Sequence, residues 1–140
     1  YAVQENLVSL KQELALIEDY LELEKVRFEE KLRVSIQADE ALLKKQVLRL
    51  CIQTLVENAI KHGISQQPEG GFIKIEISST VDEMLIMVEN TGTLSDRFQK
   101  GIGLSSLEER LQLQFDGKAV FWLQQETAQT VKAIIKTPLV

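Results

Sequence analysis

Hydrophobic and polar positions in the first part of the chain follow the rhythm of an amphipathic helix, with apolar residues at steps of three and four. Glu, Lys and Gln fill most positions between them. The pattern predicts a long N-terminal helix and favours a seam for another helix over packing on the chain's own domain, although about three heptads are too few to decide. The apolar positions are Val3, Leu7, Leu10, Leu14, Ile17 and Leu21.

Shorter stretches alternate with a period of two, as half-buried strands do. Helices are predicted from about Glu40 to His62 and, after a Gly-rich turn, within the stretch from Lys100 to Phe115. The order of helix, strand, helix, two strands, helix and two strands predicts an α+β fold, with a mixed sheet and helices on one face. The predicted strands are LRVSIQA, the hairpin FIKIEIS and MLIMVEN, and the pair AVFWLQQ and VKAIIKT, which ends at Pro138.

Composition narrows the classes of partner. A chain of 140 residues with 44% hydrophobic content can bury one core, which fits one domain and an appended helix. The net charge of -5, without a Lys/Arg-rich block, argues against nucleic acid and favours a metabolite or protein partner. The single Cys51 suits a reducing compartment, and no apolar run is long enough to span a membrane. Because the chain starts at Tyr1, we expect a piece of a longer protein.

The segment LVENAIKHG places polar side chains together on one face of the second predicted helix. Thr54, Asn58 and His62 follow one another at steps of four, and Lys61 lies three positions after Asn58. An ordinary solvent-exposed face would also be polar, so this segment by itself indicates a site only weakly.

Two glycine-containing segments add to it. KGIGLSSLEERL has Gly101 and Gly103 before a predicted helix, where free N–H groups attract phosphate and glycine lets a ligand approach the backbone. VENTGT ends a strand with Asn90 and Gly92, a pattern that an Asx-type turn would also explain.

Together and in this order, the three segments resemble the nucleotide-binding domain of GHKL ATPases, and specifically that of LytS-type sensor histidine kinases. LVENAIKHG looks like the N box of that family, NTG like its first glycine box and GIGLSSLEERL like its second. DYLELEKVRFEEKLRV is similar to the family's link between dimerisation region and catalytic domain. The resemblance implies a Bergerat-type two-layer α/β sandwich at 32–140, the GHKL ATP-binding catalytic domain, preceded at 1–31 by the C-terminal part of a helical dimerisation and linker region.

The resemblance also implies roles for the N box. Asn58 would be the Mg²⁺ ligand and a catalytic residue, presenting its amide oxygen to a cation that also bridges phosphate oxygens. Glu57 would be catalytic by orienting water or polarising the acceptor, or would make a structural contact. Lys61 and His62, on the same face, would meet the phosphates or their lid.

The glycine boxes would hold the rest of the nucleotide. Asn90 would read adenine, Gly92 would leave room for the ring, and the hydroxyl of Thr130 would back the pocket. The turn on the phosphate side would be formed by Gly101, Gly103 and Leu104.

The sequence departs from the family at several positions. The family's first glycine box has Asp where this chain has Asn90 and a second glycine where it has Leu94, and Ser106 replaces a common Asn. A Pro-His-Phe-Leu segment, which carries the phosphoacceptor histidine of the family, does not occur in this sequence.

The implied function is the ATP-binding catalytic domain of a two-component sensor histidine kinase, which transfers the γ-phosphoryl group of ATP to a histidine outside this sequence. The expected cofactors are ATP and Mg²⁺, and the expected partners are a response regulator and, in the parent protein, a second copy bound through the N-terminal helix. We expect a cytoplasmic domain of a bacterial inner-membrane protein, held at the membrane only by a sensor region outside this sequence. The alternative, favoured by Asn90 and Leu94, is a nucleotide-free pseudokinase that acts as a dimerisation or interaction module.

Overall fold

The computed structural model describes residues 6–94 and 101–140, so the predicted element positions Val3 and Lys100 lie outside the described residues. Three single turns of 3-10 helix accompany the main elements, at Glu29–Lys31, Glu40–Leu42 and Ile64–Gln66. In chain order the main elements are β1 (Leu7–Ser9), α1 (Leu10–Phe28), β2 (Leu32–Ala38), β3 (Gln46–Leu48), α2 (Cys51–His62), β4 (Gly71–Ser79), β5 (Glu83–Thr91), α3 (Ile102–Gln114), β6 (Val120–Thr127) and β7 (Thr130–Pro138).

The main sheet is mixed, as the sequence predicts. Its strand order is β2-β4-β5-β7-β6, in which β2 runs parallel to β4 and every other neighbouring pair is antiparallel. Along β4 the side chains of Ile73, Ile75 and Ile77 are buried, whereas Lys74 and Glu76 between them are only half-buried. This alternation gives the sheet one apolar face, which the helices cover, and the predicted α+β class is confirmed.

The predicted N-terminal helix starts later than its apolar rhythm indicates. Leu7 lies in β1, which pairs antiparallel with β3 and forms a second sheet of two strands. Helix α1 begins after Ser9, whose hydroxyl accepts a hydrogen bond from the Gln12 N–H while the Gln12 side chain accepts one from the Ser9 N–H. This capping box fixes the first turn of the helix.

The prediction that the apolar stripe of α1 pairs with another chain is wrong for the positions that the structure describes. Leu10, Leu14, Ile17 and Leu21 are buried in the same hydrophobic core as α2 and the sheet. The stripe packs against the chain's own domain, which is the second of the two possibilities that the spacing left open.

The predicted helix from Glu40 to His62 is also corrected. Only Cys51–His62 is α-helical, because Val47 and Leu48 belong to β3 and pair with β1. Leu50, between β3 and the helix, has a left-handed backbone with φ of 65°. A helix cannot run through a residue in that conformation, so the chain changes direction there.

Candidate functional site

Helix α2 carries the N-box segment and presents its polar residues to two adjoining cavities. Asn58 is half-buried, whereas Glu57, Lys61 and His62 are exposed. The apolar residues between them are buried on the other side of the helix, so their packing fixes the direction in which the polar side chains point.

The two cavities share Asn58 and His62, and together they bring most of the predicted site residues into one place. The larger, of about 300 Å³, lies between α2 and the start of α3, and the smaller, of about 140 Å³, lies beside the end of β5. We name them the α3 cavity and the β5 cavity. The α3 cavity is lined by Thr54, Glu57, Asn58, Lys61, His62, Gly101, Ile102, Gly103 and Leu104, and the β5 cavity by Asn58, His62, Gly63, Asn90, Thr93, Leu94, Leu123 and Val131.

The start of helix α3 opens into the α3 cavity without a side-chain cap at Gly101. The Ser105 N–H donates to the Gly101 carbonyl at 3.0 Å, and the N–H groups of residues 102 to 104 precede it without helical acceptors. Such N–H groups, with the positive end of the helix dipole, favour an anion.

Packing within the described fold does not explain the two glycines of this turn. A Cβ atom added at Gly101 would meet no atom of residues 6–94 and 101–140 within 4 Å, and one added at Gly103 would lie 3.8 Å from Thr54 Cγ2, an ordinary contact. Gly101 also has φ of -71° and ψ of 179°, which any residue adopts. The missing side chains instead leave room beside the backbone for a ligand.

The Asn58 amide is available for a ligand, because it makes no hydrogen bond with any residue that the structure describes. Lys61 lines the same cavity and supplies a positive charge. No group of three or more His, Cys, Asp or Glu side chains able to hold a metal occurs among residues 6–94 and 101–140. A cation bound at Asn58 would therefore take its remaining ligands from water or from bound phosphate oxygens, as Mg²⁺ commonly does.

In the β5 cavity, Asn90 is held in one orientation. Its side chain is 8% exposed, and Nδ2 donates to the Thr91 carbonyl at 2.9 Å. Gly63 packs against it so closely that an added Cβ atom would lie 2.1 Å from Asn90 Nδ2, and one added at Gly92 would lie 3.1 Å from the same atom. Gly63 was not among the predicted site residues, although it ends the LVENAIKHG segment.

The predicted contribution of Thr130 does not fit this geometry. The pairing of β5 with β7 sets Val131 opposite Asn90 and Thr130 opposite Thr91, and opposed residues point to the same face of a sheet. Val131 accordingly lines the β5 cavity, while the Thr130 hydroxyl lies 2.8 Å from the Thr127 hydroxyl and lines neither cavity. The role of Thr130 remains a prediction, and Val131 is the residue of β7 that this register sets beside Asn90.

The N-terminal end of helix α2 is held by a residue that the sequence pattern did not reveal. Glu13, on α1, is 0% exposed, and its carboxylate accepts hydrogen bonds from the N–H groups of Leu50, Ile52 and Gln53 at 3.0, 3.1 and 3.2 Å. These donors lie at the start of α2, which has no cap of its own. Glu13 therefore caps α2 from a neighbouring helix.

Arg110, in the second glycine-box segment, connects α3 to the same region. Its Nη2 donates to the Arg49 carbonyl at 2.6 Å. The helix that begins at the α3 cavity and the helix that carries Asn58 are therefore joined at the far end of the site.

Two shifted pKa values report the electrostatic surroundings of α2. Partial burial is the main cause that raises the pKa of Tyr20. The negative charges of Glu24 and, to a smaller extent, Glu57 raise it further, whereas the positive charge of Arg27 lowers it. Tyr20, on α1, is therefore within the electrostatic influence of Glu57, which lines the α3 cavity. Burial, followed by the charge of Glu13, raises the pKa of the Cys51 thiol, so Cys51 behaves as a neutral core residue.

Comparisons with known proteins agree with this architecture. A sequence profile described as histidine kinase matches residues 1–32. The chain is 31% identical over 112 residues to the sensor histidine kinase BtsS of Escherichia coli K12, and 35% identical over 88 residues to the sensor protein LytS of Oceanobacillus iheyensis. These alignments cover 79% and 63% of this chain but 20% and 15% of the relatives. A third relative, the uncharacterised protein YwpD of Bacillus subtilis strain 168, is 36% identical over 115 residues, which are 74% of this chain and 41% of YwpD.

Solved structures with the same fold include histidine kinase domains. The catalytic domain of the histidine kinase ThkA, in a nucleotide-free form, superposes with a TM-score of 0.71 at 18% identity, over 94% of each chain. ThkA in complex with the response regulator TrrA matches with a TM-score of 0.68 at 17% identity, over 96% of this chain and 41% of that one. The chain is therefore a homologue of sensor histidine kinases, LytS among them, and has the fold of a histidine kinase catalytic domain.

Proposed function

We propose that this chain is the ATP-binding catalytic domain of a two-component sensor histidine kinase, which transfers the γ-phosphoryl group to a histidine outside this sequence. The observation that carries the proposal is the α3 cavity, which is lined by the start of α3, two glycines and Asn58. Within the part of the chain that the structure describes, that helix start has no side-chain cap, the glycines have no packing role and the Asn58 amide has no hydrogen bond. That combination suits a bound polyphosphate and its divalent cation.

The phosphates would lie at the start of α3, against the N–H groups of residues 102 to 104 and beside Lys61 and His62. Asn58 would contribute its amide oxygen to Mg²⁺. The bound Mg²⁺ would neutralise charge on the phosphate oxygens. The contribution of the protein to phosphoryl transfer would then be positioning and fixed positive potential.

Glu57 lies one residue before Asn58 and is exposed at the rim of the α3 cavity. We propose that its carboxylate faces the incoming acceptor histidine and polarises the imidazole. Its place in the same cavity as Asn58 and Lys61, together with its exposure, supports this role, because an acceptor would arrive from the solvent.

The nucleotide base would enter the β5 cavity beside Asn90. With Nδ2 donating to the Thr91 carbonyl, Oδ1 is the acceptor that this amide offers to a ligand, and an oxygen acceptor suits the amino group of adenine. Guanine has a carbonyl at that position, so we expect ATP to bind more tightly than GTP. A flip of the amide would set Oδ1 against the Thr91 carbonyl oxygen, so the hydrogen bond from Nδ2 to that carbonyl opposes it.

The partners are proposed for the longer protein, since the chain spans 20% of BtsS and 15% of LytS. The ThkA complex with TrrA supports a response regulator as partner. A homodimer would use an outer face of α1, where Leu16, Leu23 and Val26 are exposed, because the inner stripe is buried in the chain's own core.

None of the described helices is long and apolar enough to cross a membrane. We propose a cytoplasmic location, with attachment to a bacterial inner membrane through a sensor region outside this sequence.

Calorimetric titration with ATP and GTP, with and without Mg²⁺, tests the proposal. We expect Mg²⁺-dependent binding that prefers ATP, and Asn58→Ala should weaken it by about tenfold, the order of magnitude for losing one ligand or hydrogen bond to a charged group. Asn58→Asp keeps an oxygen ligand and should retain the dependence on Mg²⁺. Absence of binding by the wild type would favour the pseudokinase module, and equal affinity of wild type and Asn58→Ala would remove Asn58 from the site.

A further inference from the structure

The chain leaving β5 is tied to the turn between β6 and β7. The Gly92 N–H donates to the Gln129 carbonyl at 2.9 Å, and two residues later the Leu94 N–H donates to Gln125 Oε1 at 2.7 Å. Residues 92 to 94 contain two of the side chains that line the β5 cavity, Thr93 and Leu94. One wall of that cavity is therefore held by the hairpin of β6 and β7, through Gln125 in β6 and Gln129 in the turn.

Gln125 uses both halves of its side-chain amide in this connection. While Oε1 accepts from Leu94, Nε2 donates to the carbonyls of Thr127 at 2.8 Å and Thr130 at 2.9 Å, with the Gly92 carbonyl farther away at 3.3 Å. Only one orientation of the amide satisfies an N–H on one side and carbonyls on the other. Gln125 pairs with Val131, and Val131 pairs with Asn90, so the three residues point to the same face of the sheet at the end of β5.

Leu94 links the Gln125 hydrogen bonds to the wall of the β5 cavity. Leu94 lines the β5 cavity together with Asn90, Leu123 and Val131. Gln125 makes the one hydrogen bond to the Leu94 backbone that is recorded among the described residues. If that bond is lost, the Leu94 backbone is free to move and its side chain no longer has a fixed position in the wall.

We propose that Gln125 is a positioning residue for the nucleotide base, which it serves by holding Leu94 as an apolar wall of the β5 cavity beside Asn90. This inference rests on the proposed function, because it takes the occupant of the β5 cavity to be the base of ATP. Gln125 does not line either cavity itself and acts through the Leu94 backbone. The phosphate end of the site, in the α3 cavity, does not involve it.

The test separates the base from the phosphates by comparing two ligands in the presence of Mg²⁺, ATP and inorganic tripolyphosphate. Gln125→Ala removes both halves of the connection, and Gln125→Glu keeps an acceptor for Leu94 but sets a carboxylate against the two carbonyls. The matched control is Gln124→Ala, since the Gln124 side chain bonds only Trp122 Nε1 and Glu126 among the described residues. Hydrogen exchange of the Leu94 amide in the free protein reports the connection without any ligand.

We expect Gln125→Ala to bind ATP about two- to tenfold more weakly, the range for the net loss of one or two hydrogen bonds, and to bind tripolyphosphate as the wild type does. Gln125→Glu should lose at least as much ATP affinity, and both variants should exchange the Leu94 amide faster. Gln124→Ala should match the wild type in all three measurements.

The possible failures are distinguishable. If the wild type binds tripolyphosphate but not ATP, or neither ligand, the proposed function is wrong and the inference fails with it. If the wild type binds ATP and Gln125→Ala binds it equally well, only the inference is wrong. A parallel loss of ATP and tripolyphosphate binding would also overturn it, because that result indicates a general loss of structure. Unchanged exchange of Leu94 would show that Gln125 does not hold this segment.

Discussion

Helices α2 and α3 both begin without a side-chain cap of their own, and the fold treats the two starts in opposite ways. The start of α2 is covered by the buried carboxylate of Glu13, which accepts from three backbone N–H groups. The start of α3, at Gly101, is exposed and opens into a cavity. The start of any helix favours a negative charge. For α2 the carboxylate of Glu13 supplies that charge, whereas among the described residues no anionic side chain bonds to the start of α3, where a bound anion could take this role.

The glycines around the two helices differ in the same way. Gly63, just after α2, has no space for a Cβ atom because Asn90 and backbone oxygens occupy it. Beside Gly101, just before α3, no atom of the described residues lies within 4 Å of the place that a Cβ atom would take. The first glycine is needed by the fold, and the second is best explained by what binds there.

The largest expected effect is on the covered helix start. Glu13→Ala should lower the free energy of unfolding by about 3 kcal/mol, because it leaves three donors near the core without their acceptor and removes buried volume. Urea denaturation followed by circular dichroism measures this. Glu18→Ala, an exposed glutamate on the same helix, is the control and should stay within about 0.5 kcal/mol of the wild type. Similar values for the two variants would mean that the carboxylate of Glu13 does not stabilise α2.

A smaller contrast is expected between the glycines. Gly63→Ala should destabilise the protein by about 2 kcal/mol, since the new methyl group would lie 2.1 Å from Asn90 Nδ2 and 2.5 Å from the Ala59 carbonyl oxygen. Gly101→Ala should change stability by less than about 0.5 kcal/mol, because its backbone conformation is open to alanine. The same denaturation experiment measures both. If Gly101→Ala is as destabilising as Gly63→Ala, the glycine at the start of α3 has a structural role and does not indicate a ligand.

The sheet and the grouping of the N box with the second glycine box were predictable from the sequence. Strands such as β4 alternate strictly between buried and half-buried residues, and the hairpin of β4 and β5 has a short polar turn. The boundary of α2 was not predictable in the same way. Val47 and Leu48 continue the apolar spacing of the helix although they lie in a three-residue strand, and Leu50 takes a left-handed conformation without a glycine to signal it.

The missed residues act through contacts that a local pattern does not contain. In the sequence Glu13 is one of many Glu, Lys and Gln residues of α1, and most of them are exposed. Carboxylates are almost never fully buried unless they are paired, so nothing in the sequence indicated that Glu13 is buried. Its partners are about forty positions away along the chain. Gln125 likewise meets Leu94 across 31 positions. The position of Thr130 was also hard to predict from the sequence, because the exact register of a strand pair decides which of two adjacent residues faces the site.

The most direct test of the account is an NMR titration of the ¹⁵N-labelled chain with Mg-ATP. The account predicts that the backbone amides of Ile102, Gly103 and Leu104 and the side-chain amide of Asn58 shift on binding, because phosphates occupy the open start of α3. The chemical shifts of the Ile52 and Gln53 amides, which already donate to Glu13, should not change. Unchanged amides at the start of α3 under saturating Mg-ATP would contradict the central claim.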